Sequence, residues 1–234
     1  MLIFSQFFAI CCSILIPLAL VIYLGLHYEG KWKLLLFGAL TYILFQIALF
    51  LPVVSLIANE PSVKAWISGH YALYIILLSL AGAALGELFR YLIIKVFLAH
   101  DTSNMDAVAF GLGYGGFETA LTVGMNVIIS LLASAYIVKA GASMAMLAEG
   151  VGQLCLLVMQ IGWSLLIMQA LRTKKKKFLW ICIGLESFVN CISRLGQNVW
   201  HWNLWILLIV MIAFGLLMAM YIAQVFKMDQ KENK

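Results

Sequence analysis

The sequence predicts an all-α membrane protein, a polytopic bundle of about seven transmembrane helices. Of its 234 residues, 65% are hydrophobic and 11% are charged, and the mean hydropathy is +1.04, whereas soluble domains are about half apolar and about a quarter charged. Seven segments are apolar enough to cross a bilayer whose hydrocarbon core is about 30 Å thick. This composition excludes a soluble enzyme, a secreted module and a disordered regulator, and we expect a single transmembrane domain over residues 1–234.

The expected spans run in order along the chain and each has at least 21 residues. They are 3–25, 34–57, 71–98, 107–138, 151–171, 178–200 and 204–226. No Lys or Arg precedes the first span and no small-residue cleavage pattern follows it, so we expect a retained helix rather than a signal peptide. The fourth span would reach about 48 Å as one helix, so it must tilt, overrun the membrane or break, with its glycines as candidate break points.

Basic residues predict the orientation of the bundle. With the N-terminus outside, eleven Lys and Arg residues lie in the inner loops and the tail and three lie outside, as the positive-inside tendency requires. A second crossing within the fourth segment would move the basic run 172–177 to the outer face. We therefore predict a multi-pass protein of the plasma membrane with its N-terminus outside and its C-terminus in the cytoplasm.

Ionisable side chains within the spans are the candidate functional residues. Each costs about 2.5–3.5 kcal/mol or more at the bilayer centre, so such groups are kept where they face the bundle interior and find partners. They are Glu87, Arg90, Glu118, Glu186 and Arg194. The helical rise places the three carboxylates at about 18, 18 and 14 Å from the inner ends of their spans, which predicts one shared level. For Arg194, near the outer end, we favour a purely structural role.

Helical spacing groups these residues further. Glu87 and Arg90 are three apart, so we expect them to form an ion pair. Glu186 and Asn190 lie on one polar stripe of the sixth span, and a site or a structural role is equally compatible with Glu186.

A second polar face is expected on the fourth span. Tyr114 and Glu118 share this face, and Gly111 and Gly115 lie beside it, so that a neighbouring backbone can approach closely.

Metal and nucleic-acid signals are weak. All five cysteines fall within spans and are assigned to packing, and the four histidines lie in loops or at span edges. The sequence contains no recognisable triad of metal ligands, so it does not identify a cofactor. The lysine run lacks neighbouring readout groups, which argues against a nucleic-acid partner.

Two motifs resemble those of the YhfC family of intramembrane peptidases, which is related to the CAAX prenyl endopeptidases and PrsW. They are Gly86-Glu87-Leu-Phe-Arg90 and Gly111-Leu-Gly-Tyr-Gly-Gly-Phe-Glu118, and the resemblance covers nearly the whole chain in span order. It implies a bacterial membrane enzyme that hydrolyses peptides within the bilayer, with or without a metal. The catalytic residues that it implies are Glu87, Arg90, Tyr114, Glu118, Glu186 and Asn190.

Three departures from the family pattern leave the function open. Gly86 stands where the family has a first Glu, Tyr114 stands where it has His, and Glu186 replaces the His of a third motif. One hypothesis is a hydrolase in which Glu118 or Glu87 activates water and Tyr114 or Asn190 donates to the oxyanion. The alternative is an inactive pseudoprotease that binds a transmembrane peptide or a partner membrane protein. A proton pathway is a third class, disfavoured because the sequence shows no inverted repeat.

Overall fold

The computed structural model describes residues 2–98, 100, 102–133 and 142–232. This part of the chain is all-helical and contains no strand. Its helices are α1 (2–27), α2 (Lys31–Asn59), α3 (Pro61–Gly69), α4 (Tyr71–Phe97), α5 (104–133), α6 (Ala142–Thr173), α7 (Lys177–Asn198) and α8 (Leu204–Glu232).

The predicted all-α membrane architecture is confirmed. Six of the described helices are long and apolar enough to cross a membrane, namely α1, α2, α4, α6, α7 and α8. The glycine-rich α5 occupies the place of the expected fourth span, and together these helices account for the seven that the sequence predicts. The orientation of the termini stays a prediction.

The fourth predicted span differs in detail from α5. Its helix begins at Asn104, and residues 134–138 of the predicted span lie outside the described residues. The regular α-helix does not break at the glycines of the motif; it passes into a π-helical turn over Ala120–Gly124 and then resumes. Similar π-helical stretches occur at Cys11–Leu15 in α1 and at Ile43–Phe50 in α2. Such turns widen the helix locally and are frequent at functional sites.

The described chain forms two compact units. Unit 1 comprises Met1–Ala39, Ser103–Leu165 and Leu204–Lys234, and unit 2 comprises Leu40–Thr102 and Leu166–Asn203. Each unit is described by itself below, and the single domain over residues 1–234 stays a prediction.

In unit 1, the glycines of α5 allow two helices to approach its backbone. A Cβ atom at Gly113 would collide with the backbone carbonyl oxygen of Leu35 on α2. On another side, a Cβ at Gly111 would lie 2.6 Å from the Cα of Ile161 on α6. The predicted close approach at this glycine face is therefore confirmed, because only hydrogen fits at these positions.

The first turn of α5 is fixed by polar contacts. Ser103 and Asp106 form a capping box, in which the side chain of each accepts from the backbone N–H of the other. Lys31 at the start of α2 donates to the Asp106 carboxylate at 2.5 Å, and Asn104 donates to Asp229 on α8 at 2.5 Å. These contacts set the position of α5 relative to α2 and α8, and with it that of the glycine motif two turns later.

In unit 2, α4 packs against α7. The buried residues of α4 recur every three or four positions, which is the spacing of one helix face. They are Ile75, Ser79, Ala83, Gly86, Glu87, Arg90 and Ile94. The polar members of this stripe lie among buried residues of α7, so this helix pair builds the first candidate site.

Candidate functional sites

The Glu87–Arg90 pair forms as the spacing predicts. Arg90 Nη1 lies 3.2 Å from Glu87 Oε1, and both side chains are 1% exposed. Both residues lie on the face of α4 that packs on α7, one turn apart. A buried pair of this kind is stable only as a pair, because removing either partner leaves an uncompensated charge.

Cys182 of α7 joins this pair. Its side chain hydrogen-bonds to Glu87, so that the thiol donates to the carboxylate, and it interacts electrostatically with Arg90 and Glu186. Cys182 is fully buried and stands one turn before Glu186. From the sequence, this cysteine is expected only to pack. Its spacing of four residues from Glu186 places both side chains on one helix face, and this spacing could have indicated that Cys182 belongs to the polar site.

Other buried polar atoms lie on α4 and α7. Within the described residues, Glu87 Oε2, Ser79 Oγ and Ser187 Oγ have no hydrogen-bond partner. Such buried atoms are uncommon in native proteins and often mark a functional site or a water position. The Glu87–Arg90–Cys182 cluster therefore has remaining hydrogen-bonding capacity.

Gly86 is packed against an aromatic side chain. A Cβ at this position would lie 3.1 Å from Cε1 of Phe45, which is itself buried on α2. Phe45 thus occupies the space that a longer side chain at position 86 requires. The glycine at the family's first Glu position is accommodated by the surrounding packing.

The second candidate site lies in unit 1 and centres on Glu118 of α5. Gln160 on α6 donates from Nε2 to Glu118 Oε2 at 2.5 Å. Gln160 is 2% exposed, whereas Glu118 is half-buried. Gln160 was not among the sequence candidates, although Gln153 and Gln160 are seven residues apart and share one helix face. A carboxylate with an amide donor at this distance can act as a proton acceptor beside a hydrogen-bond donor.

Tyr114 lies one turn before Glu118 and is buried at 6% exposure. Between them, Gly115 packs so closely on α6 that a Cβ would lie 2.8 Å from Cβ of Gln160. The close packing of α5 on α6 is what brings Gln160 within reach of Glu118.

An apolar cavity of about 240 Å³ lies beside the glycine motif. It is formed by α1, the first turns of α2, and α5. Its lining residues are Ile14, Pro17, Leu18, Val21, Trp32, Leu35, Leu36, Ala39, Gly113, Gly116, Phe117 and Ala120. Gly113 and Gly116, both in the second family motif, therefore belong to the wall of a cavity.

The six predicted site residues fall into two groups. Glu87, Arg90 and Glu186 belong to the cluster in unit 2, where Asn190 follows one turn after Glu186 and is half-buried. Tyr114 and Glu118 belong to unit 1. The catalytic roles of all six, and the shared level of the three carboxylates, stay predictions.

The donor atoms of the described residues do not fit a metal ion. Among the described residues, no group of three or more His, Cys, Asp or Glu side chains is arranged to hold one. The Glu87 carboxylate already bonds to a guanidinium, and Glu118 already accepts from Gln160. A catalytic zinc site usually has three protein ligands and one open position.

Comparisons with known proteins agree with the two motifs. The sequence model of the family described as YhfC intramembrane metalloprotease matches residues 12–156. This range contains Glu87, Arg90 and Glu118 and ends before Gln160. An uncharacterised membrane protein, YhfC of Bacillus subtilis (strain 168), is 26% identical over 213 residues, which cover 80% of this chain and 81% of that protein. No solved structure matches.

The relative is a bacterial membrane protein, in agreement with the predicted location in a bacterial plasma membrane. The family match covers more than half of the chain and includes both motifs from which the resemblance was drawn. This chain is thus a multi-pass membrane protein that belongs to the YhfC intramembrane metalloprotease family.

Proposed function

We propose that this chain binds a transmembrane segment of another membrane protein and does not carry out metal-dependent hydrolysis. The observation that carries the proposal is the buried Glu87–Arg90 pair, with its atoms 3.2 Å apart. A divalent cation at Glu87 would lie beside a permanent positive charge, and their repulsion is strong where the dielectric constant is low. The carboxylate that the first motif retains is therefore poorly suited to hold a metal.

The binding half of the proposal rests on the cavity beside the glycine motif. Its volume of about 240 Å³ exceeds the roughly 150 Å³ that holds benzene in an engineered protein cavity, so it accommodates one large apolar side chain. An intramembrane protease must bind a peptide in the bilayer before it cuts. A member that keeps Gly113 and Gly116, and whose described residues form no metal-ligand set, retains the first of these steps.

Site-specific photocrosslinking in living cells tests the binding. A photoreactive phenylalanine analogue at Phe117, which lines the cavity, should give one discrete adduct with a membrane protein. The same analogue at Ile22, which is exposed on α1 but does not line the cavity, should not. Adding Ala39→Phe to fill the cavity should abolish the adduct without unfolding the protein. An adduct that survives Ala39→Phe, or that forms equally at Ile22, contradicts the proposal.

Metal content tests the second half. After incubation with zinc and gel filtration, we expect the purified chain to retain much less than one equivalent, with the Bacillus relative measured in parallel. One tightly held equivalent, together with chelator-sensitive cleavage of a transmembrane reporter peptide, would overturn the proposal.

A second candidate function is metal-free hydrolysis at Glu118, favoured by its 2.5 Å contact with the Gln160 amide. In this reaction Glu118 accepts a proton from water as the water oxygen attacks the peptide carbonyl carbon. The second N–H of the Gln160 amide, or the Tyr114 hydroxyl, donates to the carbonyl oxygen as it becomes negative. The C–N bond then breaks, the proton passes to the leaving amine, and the products are a carboxylic acid and an amine.

Cleavage of a transmembrane reporter peptide separates the two functions. If the chain hydrolyses, Glu118→Gln should abolish cleavage while insertion is retained, and Gln160→Leu should lower kcat by about 10²–10³-fold. Glu149→Gln on α6 is the matched control, because it removes another carboxylate from the membrane helices of unit 1. Equal cleavage by the Glu118→Gln variant and the parent excludes this mechanism.

A further inference from the structure

A cavity with basic walls lies in unit 2 and shares no lining residue with the Glu87–Arg90–Cys182 cluster. It is an open recess of about 610 Å³, bounded by the end of α4, residue 102, the end of α6 and the α6–α7 loop. Its lining residues are Tyr91, Lys95, Thr102, Ala170, Leu171, Arg172, Lys174 and Lys176. Four of these eight carry a positive charge and none is acidic, so the cavity selects for an anion.

Two of the four cations have a local structural role. Lys95 lies in the last turn of α4 and Arg172 in the last turn of α6. Positive charge at these helix ends offsets the negative end of the helix dipole. Dipole compensation therefore accounts for Lys95 and Arg172 without any ligand.

The other two cations have no such role. Lys176 is the N-cap of the 22-residue helix α7, whose first turn contains no acidic residue and whose cap makes no side-chain hydrogen bond. The helix dipole is positive at this end, so a lysine there is unfavourable unless an anion is bound. Lys174 has a φ of 57°, a left-handed conformation that is uncommon for a residue other than glycine. The loop thus holds two lysines at the cavity although the helix dipole disfavours Lys176 and the backbone conformation disfavours Lys174.

The surroundings of the cavity favour a lipid over a soluble anion. Ala170, Leu171 and the ring of Tyr91 supply apolar wall. In the adjacent turns of α4 and α7, Val96 is 65% exposed and Trp180 is 64% exposed. These side chains offer contacts for acyl chains beside a cationic recess, and basic recesses at the cytoplasmic ends of membrane helices bind lipid headgroups.

We propose that this cavity binds the phosphate headgroup of an anionic phospholipid. The headgroup lies between Lys174 and Lys176 on one side and Lys95 and Arg172 on the other, and the N-terminus of α7 adds to the positive potential. The acyl chains run along the exposed apolar side chains of α4 and α7. This inference is independent of the function proposed for the glycine motif.

Native mass spectrometry of the full chain, titrated with phosphatidylglycerol, tests the proposal. The run 174–177 provides a matched pair of variants with equal charge, because Lys174 and Lys176 line the cavity whereas Lys175 and Lys177 do not. Each basic residue contributes about 1 kcal/mol, or about fivefold, to the affinity for an anionic membrane. We expect Lys174→Gln with Lys176→Gln to weaken binding by about 30-fold, and Lys175→Gln with Lys177→Gln to weaken it by less than threefold.

Three further measurements complete the test. Thermal unfolding in detergent should be the same for both double variants, which excludes misfolding as the cause. Phosphatidylcholine should not compete, and millimolar inorganic phosphate should displace the lipid only weakly. Equal weakening in both double variants would indicate diffuse attraction and overturn the proposal, as would equal binding of phosphatidylcholine. Displacement by phosphate at micromolar concentration would assign the site to a soluble anion instead.

Discussion

Arg90 is the residue whose loss we expect to be most damaging. Arg90→Met leaves the Glu87 carboxylate buried beside no cation, which costs about 3–5 kcal/mol. The double variant Glu87→Met with Arg90→Met removes both charges and should be more stable than the single variant. Unfolding by SDS titration in mixed micelles measures these free energies.

Arg194→Met is the control for this prediction. Arg194 lies near the end of α7 and is half-buried, so its replacement should cost less than about 1 kcal/mol. If the double variant at positions 87 and 90 is as unstable as Arg90→Met, the pair does not act as a pair.

At the residue scale, the sequence predicts some partners but not others. The Glu87–Arg90 pair follows from spacing on one helix, where neighbours are set by the helical period. Cys182 and Gln160 come from other helices, and hydropathy does not tell which helix faces which. Phe45 likewise could not be matched to Gly86, because α2 contacts this position through a π-helical stretch that shifts its side chains.

The packing of α5 leads to a prediction for two glycines. Gly113→Ala should destabilise the protein by several kcal/mol, because its Cβ would overlap the backbone of Leu35, which cannot move aside as a side chain can. Gly152→Ala on α6 meets nothing within 4 Å and should instead stabilise by about 0.5–1 kcal/mol, as alanine does within a helix.

Thermal unfolding in a single detergent compares these two variants directly. We expect Gly113→Ala to lower the Tm and Gly152→Ala to raise it. Destabilisation by Gly152→Ala of the same size as that by Gly113→Ala would mean that the close approach at α5 is not the cause.

The first turn of α5 predicts a dependence of stability on pH. Burial favours a higher pKa for the Asp106 carboxyl, but hydrogen bonds from Lys31 and Ser103 outweigh it and hold this pKa below its usual value. A lowered pKa contributes stability that is present above the unfolded value of about 4 and is lost as the pH falls through the folded value. The parent should therefore lose stability below about pH 4.

Asp106→Asn shows whether this group is responsible. The difference in Tm between parent and variant should be largest at pH 6 and should shrink steadily below pH 4. A difference that stays constant from pH 6 to pH 3 would exclude Asp106 as the titrating group.

At the element scale, apolarity predicts the helices that cross the membrane but not their ends. Helix α6 starts at Ala142 rather than at the predicted 151, because helical backbone continues through the less apolar turns around Glu149. The short helix α3 lies between the second and third predicted spans, and its nine residues are too few to cross a membrane. The π-helical turns leave no mark in hydropathy, because they change the pitch and not the polarity.

For the whole molecule, the charge bias predicts that the α2–α4 connection is outside and the α6–α7 loop is inside. In intact cells, a membrane-impermeant maleimide should label Ser62→Cys but not Lys175→Cys. The five native cysteines of the described chain lie within helices α1, α6 and α7. Labelling of the unmodified parent measures their contribution and serves as the background. The reverse labelling pattern would invert the predicted orientation.

The π-helical turns of α1 and α5 meet in unit 1. Thr119 donates to the carbonyl oxygen of Ser13 at 3.0 Å, and a Cβ at Gly124 would lie 2.5 Å from Cγ1 of Ile14. An additional residue in a helix rotates all that follows by about 100°, so each turn separates two halves with independent phase. A single-residue insertion or deletion at the turn of α5 would therefore rotate the part of the helix after Gly124, while the part that carries Tyr114 and Glu118 keeps its partners. Family members that differ in the part after Gly124 should differ by one-residue gaps at this turn.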